Sequence, residues 1–66
     1  MDASIHVLYA NRANAYLEAG MNKECIEDCQ KVLEMEPTFA KAYYRWATAL
    51  VNQEKLQEAL EVLDRC

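Results

Sequence analysis

Lys41 and Arg45 are the two side chains of this sequence best suited to hold a ligand. Four residues apart on a helix, they point off the same face. No Asp or Glu lies between Thr38 and Gln53, although the 66-residue chain carries a formal net charge of −4. The segment is therefore a positive island in an acidic protein. A carboxylate brought to it accepts charge-assisted hydrogen bonds, and the planar guanidinium of Arg45 can supply two at once. The competing role for the pair is an ordinary solvated helix face. Tyr44, between them, either packs against an aliphatic side chain of a ligand or lies partly exposed between helices.

Other residues invite chemistry that their surroundings do not sustain. Cys25 and Cys29 share a helix face and could be metal ligands or a redox pair. A zinc site needs about four ligands, and only His6 and Cys66 remain to complete one. Two small apolar residues packed into a core are the expected role, with no metal and no cofactor. The three cysteines are an odd number, and Met1-Asp2 opens without a basic and then apolar leader. Both favour a reduced, cytoplasmic setting. No serine or cysteine can be set against His6 as a nucleophile, so an enzyme is not expected. Glu24, Glu27 and Asp28 read as a solvated helix face. The balance of 11 acidic against 7 basic residues argues against nucleic acid as a partner. The apolar runs are too short to cross a membrane.

A repeat positions the basic pair. Displaced by 34 residues, Tyr9 falls on Tyr43, Ala10 on Tyr44, Ala13 on Ala47, Ala15 on Ala49, Tyr16 on Leu50, Cys25 on Ala59 and Ile26 on Leu60. Large positions stay large and small ones stay small. That period marks a stacked array of helix hairpins, an architecture that holds other proteins. The expected fold is all-α, two stacked antiparallel hairpins, one domain over 1–66 with a first repeat at 4–37 and a second, truncated one at 38–66. The first helix, capped by Ser4 or Asp2, runs to about Ala19 with Val7, Leu8, Ala10, Ala13, Tyr16 and Leu17 as its apolar positions. Gly20 ends it. Asn22 caps a second helix running to Met35, whose stripe is Cys25, Ile26, Cys29, Val32 and Leu33, and Glu36-Pro37 stops it.

Thr38 caps the third helix, from Phe39 to about Asn52, with Tyr43, Trp46, Ala47 and Leu50 on one face. The fourth starts at Leu56 and buries Ala59, Leu60 and Leu63. The small residues Ala13, Ala47, Cys25 and Ala59 mark where helix axes come close, since larger ones would overpack the contact by ~1–3 kcal/mol. The same period sets Asn11 beside Arg45 on adjacent helices, so a neutral amide donor joins the two cations. Ala10, Asn14, Tyr44, Thr48 and Asn52 are the remaining concave positions.

These spacings resemble tetratricopeptide repeats: an aromatic, a large apolar residue, a small residue and an aromatic, then a small and a large residue, and a closing proline. The first repeat supplies Tyr9, Arg12, Ala13, Tyr16, Cys25, Cys29 and Pro37. The second supplies Tyr43, Trp46, Ala47, Leu50, Ala59 and Leu63. Arg12 stands at a usually apolar position, Cys29 at a usually aromatic one, and Glu54 where Gly20 has its counterpart. Within the family, Leu8-Tyr9-Ala10-Asn11-Arg12-Ala13 and Lys41-Ala42-Tyr43-Tyr44-Arg45 resemble the second and third repeats of carboxylate-clamp co-chaperones. Those domains bind the free C-terminus of cytosolic heat-shock chaperones, ending in Glu-Glu-Val-Asp. The resemblance implies that Asn11, Lys41 and Arg45 hold the terminal carboxylates. The family clamp also draws a Lys and an Asn from a preceding repeat, which this chain lacks, and Val7 supplies no charge. A partial, weak clamp is the expectation. Leu8 and Tyr9 at one end of the stack, and Trp46, Leu56 and Leu60 at the other, lack a covering helix. A self-associating chain follows, dimeric and possibly hairpin-exchanged. A scaffold or self-association module is the alternative function.

Overall fold

The computed structural model describes residues 5–66. Four helices follow one another: α1 (Ile5–Glu18), α2 (Asn22–Met35), α3 (Ala40–Asn52) and α4 (Leu56–Asp64). Each packs on the next, and α1 also touches α3. Two hairpins therefore stack with α1 and α3 as neighbours on one side, an all-α arrangement in agreement with the expected fold.

The turns show why the chain reverses where it does. Gly20 takes φ +79°, a left-handed conformation open to glycine at no steric cost, and the Met21 amide donates back to the Tyr16 carbonyl at 2.8 Å. Glu36 leaves the helical region, at φ −142° and ψ 85°, as the residue before a proline must. At the corresponding place in the second hairpin Glu54 takes φ +64°, and the Lys55 amide donates to the Leu50 carbonyl at 2.8 Å. The two turns are built alike although only one has glycine.

The caps differ from expectation. Asn22 is the first residue of α2 and Met21 its cap, without a side-chain hydrogen bond; the Asn22 amide points back to the Gly20 carbonyl at 3.4 Å. Phe39 caps α3, while the Thr38 hydroxyl lies 3.3 Å from a Glu36 carboxylate oxygen. The proposed caps Asp2 and Ser4 lie outside the described residues.

The core has two connected parts. Ala10, Ala13, Cys25, Cys29, Val32, Ala42 and Ala49 are buried where α1, α2 and α3 meet. Ala47, Leu50, Ala59 and Val62 are buried between α3 and α4. Ile26 and Trp46 pack against both clusters and join them. All four small residues expected at close approaches are buried. In α3 the stripe is wider than the sequence suggested, because this helix touches both hairpins and buries Ala42 and Ala49 on a second edge. In α4 it is displaced: Val62 is buried, whereas Leu60 is 60% and Leu63 44% exposed. Among the described residues α3 is the one helix packed along α4, and α4 buries the side that faces it. Leu8, counted among the apolar positions of α1, is likewise 57% exposed.

Asp28 is the main correction. It is not a solvated residue but 3% exposed. Its carboxylate accepts two hydrogen bonds from Arg12, from Nε at 2.7 Å and Nη2 at 2.9 Å. The paired geometry offsets the desolvation of the carboxylate. Arg12 thus occupies its usually apolar position as half of an ion pair that ties α1 to α2.

Candidate peptide-binding groove

The candidate groove lies along α1 and α3, which are in contact. Two chain reversals leave these helices running the same way, so residues 34 apart face one another: Val7 and Lys41, Asn11 and Arg45, Asn14 and Thr48, Glu18 and Asn52. Arg45 is half-buried, and its Nη1 donates to the Ala10 carbonyl at 3.0 Å. That bond crosses between the helices and brings the guanidinium to the turn of α1 that carries Asn11. The Arg45 carbonyl in turn faces the Cys25 sulfur at 3.9 Å. Asn11 and Lys41 are exposed, Lys41 one turn before Arg45.

Tyr44 stands out from the surface, 68% exposed. Thr48 donates its hydroxyl to the Tyr44 carbonyl at 2.9 Å, so what it presents to a ligand is an acceptor oxygen. Asn14 donates to Glu18 at 3.4 Å, and Asn52 donates to the Asn22 side chain at 3.0 Å. One end of the groove is therefore cationic and the other is lined by amides and the lone acid of α1, Glu18. Ala10, expected on the open concave surface, is buried; its contribution is the carbonyl that holds Arg45. The tether on Arg45 carried no sequence signal beyond the 34-residue offset from Asn11.

The other candidate residues are engaged elsewhere. Cys25 and Cys29 are fully buried, with their sulfurs 4.0 Å apart. Burial pushes both thiols up, Cys29 strongly, so they remain protonated at neutral pH. Among the described residues no group of three or more His, Cys, Asp and Glu is arranged to hold a metal ion. His6 is half-buried and stacks edge-on against Phe39, ring centres 5.5 Å apart. It belongs to the joint between the hairpins. The Arg12 guanidinium lies 5.3 Å from the centre of the Tyr9 ring and 5.7 Å from that of Tyr16. Its bonds to Asp28 and the negative charge there hold the guanidinium more firmly protonated than usual. Among the described residues no helix is long and apolar enough to cross a membrane.

Comparison with known proteins agrees with this architecture. One tetratricopeptide repeat model matches residues 6–39, and a second matches residues 28–61. The chain is 48% identical over 52 residues to the Hsp70/Hsp90 co-chaperone CNS1 of Saccharomyces cerevisiae, a match covering 79% of this chain and 14% of that protein. It is 55% identical over 42 residues to the heat shock protein sti1 homolog of Schizosaccharomyces pombe, covering 64% and 7%. To human sperm-associated antigen 1 it is 44% identical over 59 residues, covering 89% and 6%. The chain thus spans a small part of each relative's length. No solved structure matches it. The 34-residue period, the paired hairpins and the matched residues together make this chain a member of the tetratricopeptide repeat family.

Proposed function

We propose that the α1–α3 groove is a protein-binding site for an acidic C-terminal peptide of a cytosolic heat-shock chaperone, of the Glu-Glu-Val-Asp type. Asn11, Lys41 and Arg45 form a partial carboxylate clamp. Tyr44, Asn14 and Thr48 receive the rest of the peptide. The observation that carries this reading is the Arg45 bond to the Ala10 carbonyl, 3.0 Å long. It sets a guanidinium beside Asn11, on a helix that bears Lys41 and no acid. The names of two yeast relatives, an Hsp70/Hsp90 co-chaperone and a heat shock protein sti1 homolog, support the class of partner. Residues 4–37 and 38–66 serve as the two repeats, and the setting is the cytoplasm.

The test is amide NMR of the chain titrated with one Glu-Glu-Val-Asp peptide in two forms, with a free and an amidated C-terminus. Shifts at Asn11, Lys41 and Arg45 with the free acid alone are the expected result. No shift with either form would refute the clamp. Equal shifts with both would make the site one for internal segments.

A second reading is self-association as a dimer through the apolar ends. It is favoured by the exposure of Ile5 and Leu8 at one end and of Leu56 and Leu60 at the other. A light-scattering mass that stays monomeric over a hundredfold range of concentration would refute it.

A further inference from the structure

The face shared by α1 and α3 changes its charge along its length. Lys41 and Arg45 mark its first half. Its second half, where Asn14 lies opposite Thr48 and Glu18 opposite Asn52, has no cation. Glu18 is the last residue of α1, where the negative end of the helix dipole opposes a carboxylate. Among the described residues Glu18 forms no ion pair; the pair found there joins Arg12 to Asp28. Its contact is with the Asn14 side chain one turn earlier, at 3.4 Å. The acid therefore adds nothing to the stability of its own helix and remains open to a ligand.

The hydrogen bonds at this end leave acceptors over. The Thr48 hydroxyl commits its single proton to the Tyr44 carbonyl, at 2.9 Å. The Asn52 amide nitrogen donates to the Asn22 side chain at 3.0 Å, and that of Asn14 to Oε2 of Glu18. The acceptors outside these bonds are the Thr48 oxygen, the side-chain carbonyls of Asn14 and Asn52, and Oε1 of Glu18. An ammonium or guanidinium group suits such a set, and a carboxylate does not.

Helix geometry sets where on a ligand that cation falls. Asn52 follows Arg45 by seven residues, a distance of ~10 Å at 1.5 Å per residue. An extended chain covers it in about three residues. A peptide with its terminal carboxylate at Asn11 and Arg45, running on past Asn14 and Thr48, brings the third residue before its last one to Glu18.

We propose that this groove selects C-terminal peptides with Lys or Arg at the third residue before the last, received by Glu18 and the acceptor oxygens of Thr48, Asn14 and Asn52. This rests on the clamp reading and narrows its ligand. In Glu-Glu-Val-Asp that place is taken by the first Glu, which Glu18 repels.

Three N-acetylated peptides with free C-termini test this by amide NMR titration at low salt: Glu-Glu-Val-Asp, Lys-Glu-Val-Asp and its isomer Glu-Lys-Val-Asp. Each is titrated into the wild type and into Glu18→Gln. Glu18 is exposed, so the variant should keep its far-UV circular dichroism. Lys-Glu-Val-Asp is expected to bind the wild type roughly threefold to tenfold more tightly than Glu-Glu-Val-Asp, the range for an exposed charge contact that replaces a repulsion. It should also bind more tightly than its isomer, whose net charge is the same. In Glu18→Gln the gain should shrink to about twofold or less. Equal affinity of the wild type for all three peptides would overturn the selection and leave the clamp standing. An equal gain for the isomer, or a gain undiminished in Glu18→Gln, would likewise overturn it. No binding of any of the three would overturn the clamp and the selection together.

Discussion

Gly20 and Glu54 hold the same place in the two hairpins and the same backbone conformation, φ +79° and +64°. Only one of them is glycine. A left-handed conformation costs an L-residue roughly 1–2 kcal/mol. Introducing glycine recovers that strain but frees the unfolded chain, which returns about 0.5–1 kcal/mol. Glu54→Gly should therefore stabilise the protein by a net ~0.5–1 kcal/mol. Its side chain is exposed, so little packing is lost with it. Gly20→Ala should do the reverse by a similar amount. A Cβ at Gly20 meets nothing within 4 Å, so its penalty is conformational and not a clash.

A domain of this size has a total stability of roughly 3–10 kcal/mol, so both changes are measurable. With a urea m-value near 1 kcal/mol/M, the midpoint should rise by ~0.5–1 M for Glu54→Gly and fall by as much for Gly20→Ala. The melting temperatures should move by roughly 2–8 °C in the same directions. Denaturation followed by far-UV circular dichroism, with unchanged m-values, is the assay. A Glu54→Gly protein no more stable than the wild type, beside a weakened Gly20→Ala protein, would refute the argument. Glu54 would then have an interaction of its own that compensates for its backbone.

The ion pair predicts an order of effects. Arg12→Met strands the buried Asp28 carboxylate, whereas Asp28→Ala leaves a guanidinium that is already half in water. Urea midpoints should therefore fall further for Arg12→Met, and the opposite order would contradict the burial argument. The groove predicts a separation between its two cations. Arg45→Ala loses the bond to the Ala10 carbonyl and should cost about 1 kcal/mol of stability, while Lys41→Ala should stay within about 0.5 kcal/mol of wild type. Lys41→Ala is therefore the cleaner test of peptide binding, and equal stabilities would mean that the Arg45 tether does not hold in solution. The cysteines predict both a labelling pattern and a pH dependence. Exposed Cys66 should react first with iodoacetamide, and Cys25 and Cys29 only as the chain unfolds. Burial raises both core thiols, so above about pH 8.5 the unfolded chain releases protons that the folded one keeps. Stability is then full below that pH and declines above it, by up to about 1.4 kcal/mol per pH unit for each thiol. Urea midpoints from pH 7 to 10 check this, and a Cys29→Ala variant with the same decline would refute it.

Local properties were legible without the structure. Gly20 and the Glu36-Pro37 pair mark helix ends because φ limits act within a residue or two. The 34-residue period of large and small residues predicted the hairpin stack, and Ala13, Ala47, Cys25 and Ala59 are all buried because close helix axes exclude larger side chains. The approach of Arg45 to α1, where it meets the Ala10 carbonyl, follows from the same period, since a repeat sets its corresponding helices side by side.

Tertiary structure decided whatever depends on which neighbour covers a face. Val62 is buried in α4 in place of Leu60 and Leu63, because hydrophobicity marks a side chain fit to be covered and not the helix that covers it. Ala42 and Ala49 are buried because α3 serves both hairpins. Asp28 is interior because Arg12, sixteen residues earlier, reaches it across the hairpin, a pairing that no periodicity encodes. The helices at either side of the turn impose the left-handed conformation on Glu54, whatever its own preference. Arg45 is likewise structural, since only the packing of α3 on α1 brings its guanidinium to the Ala10 carbonyl.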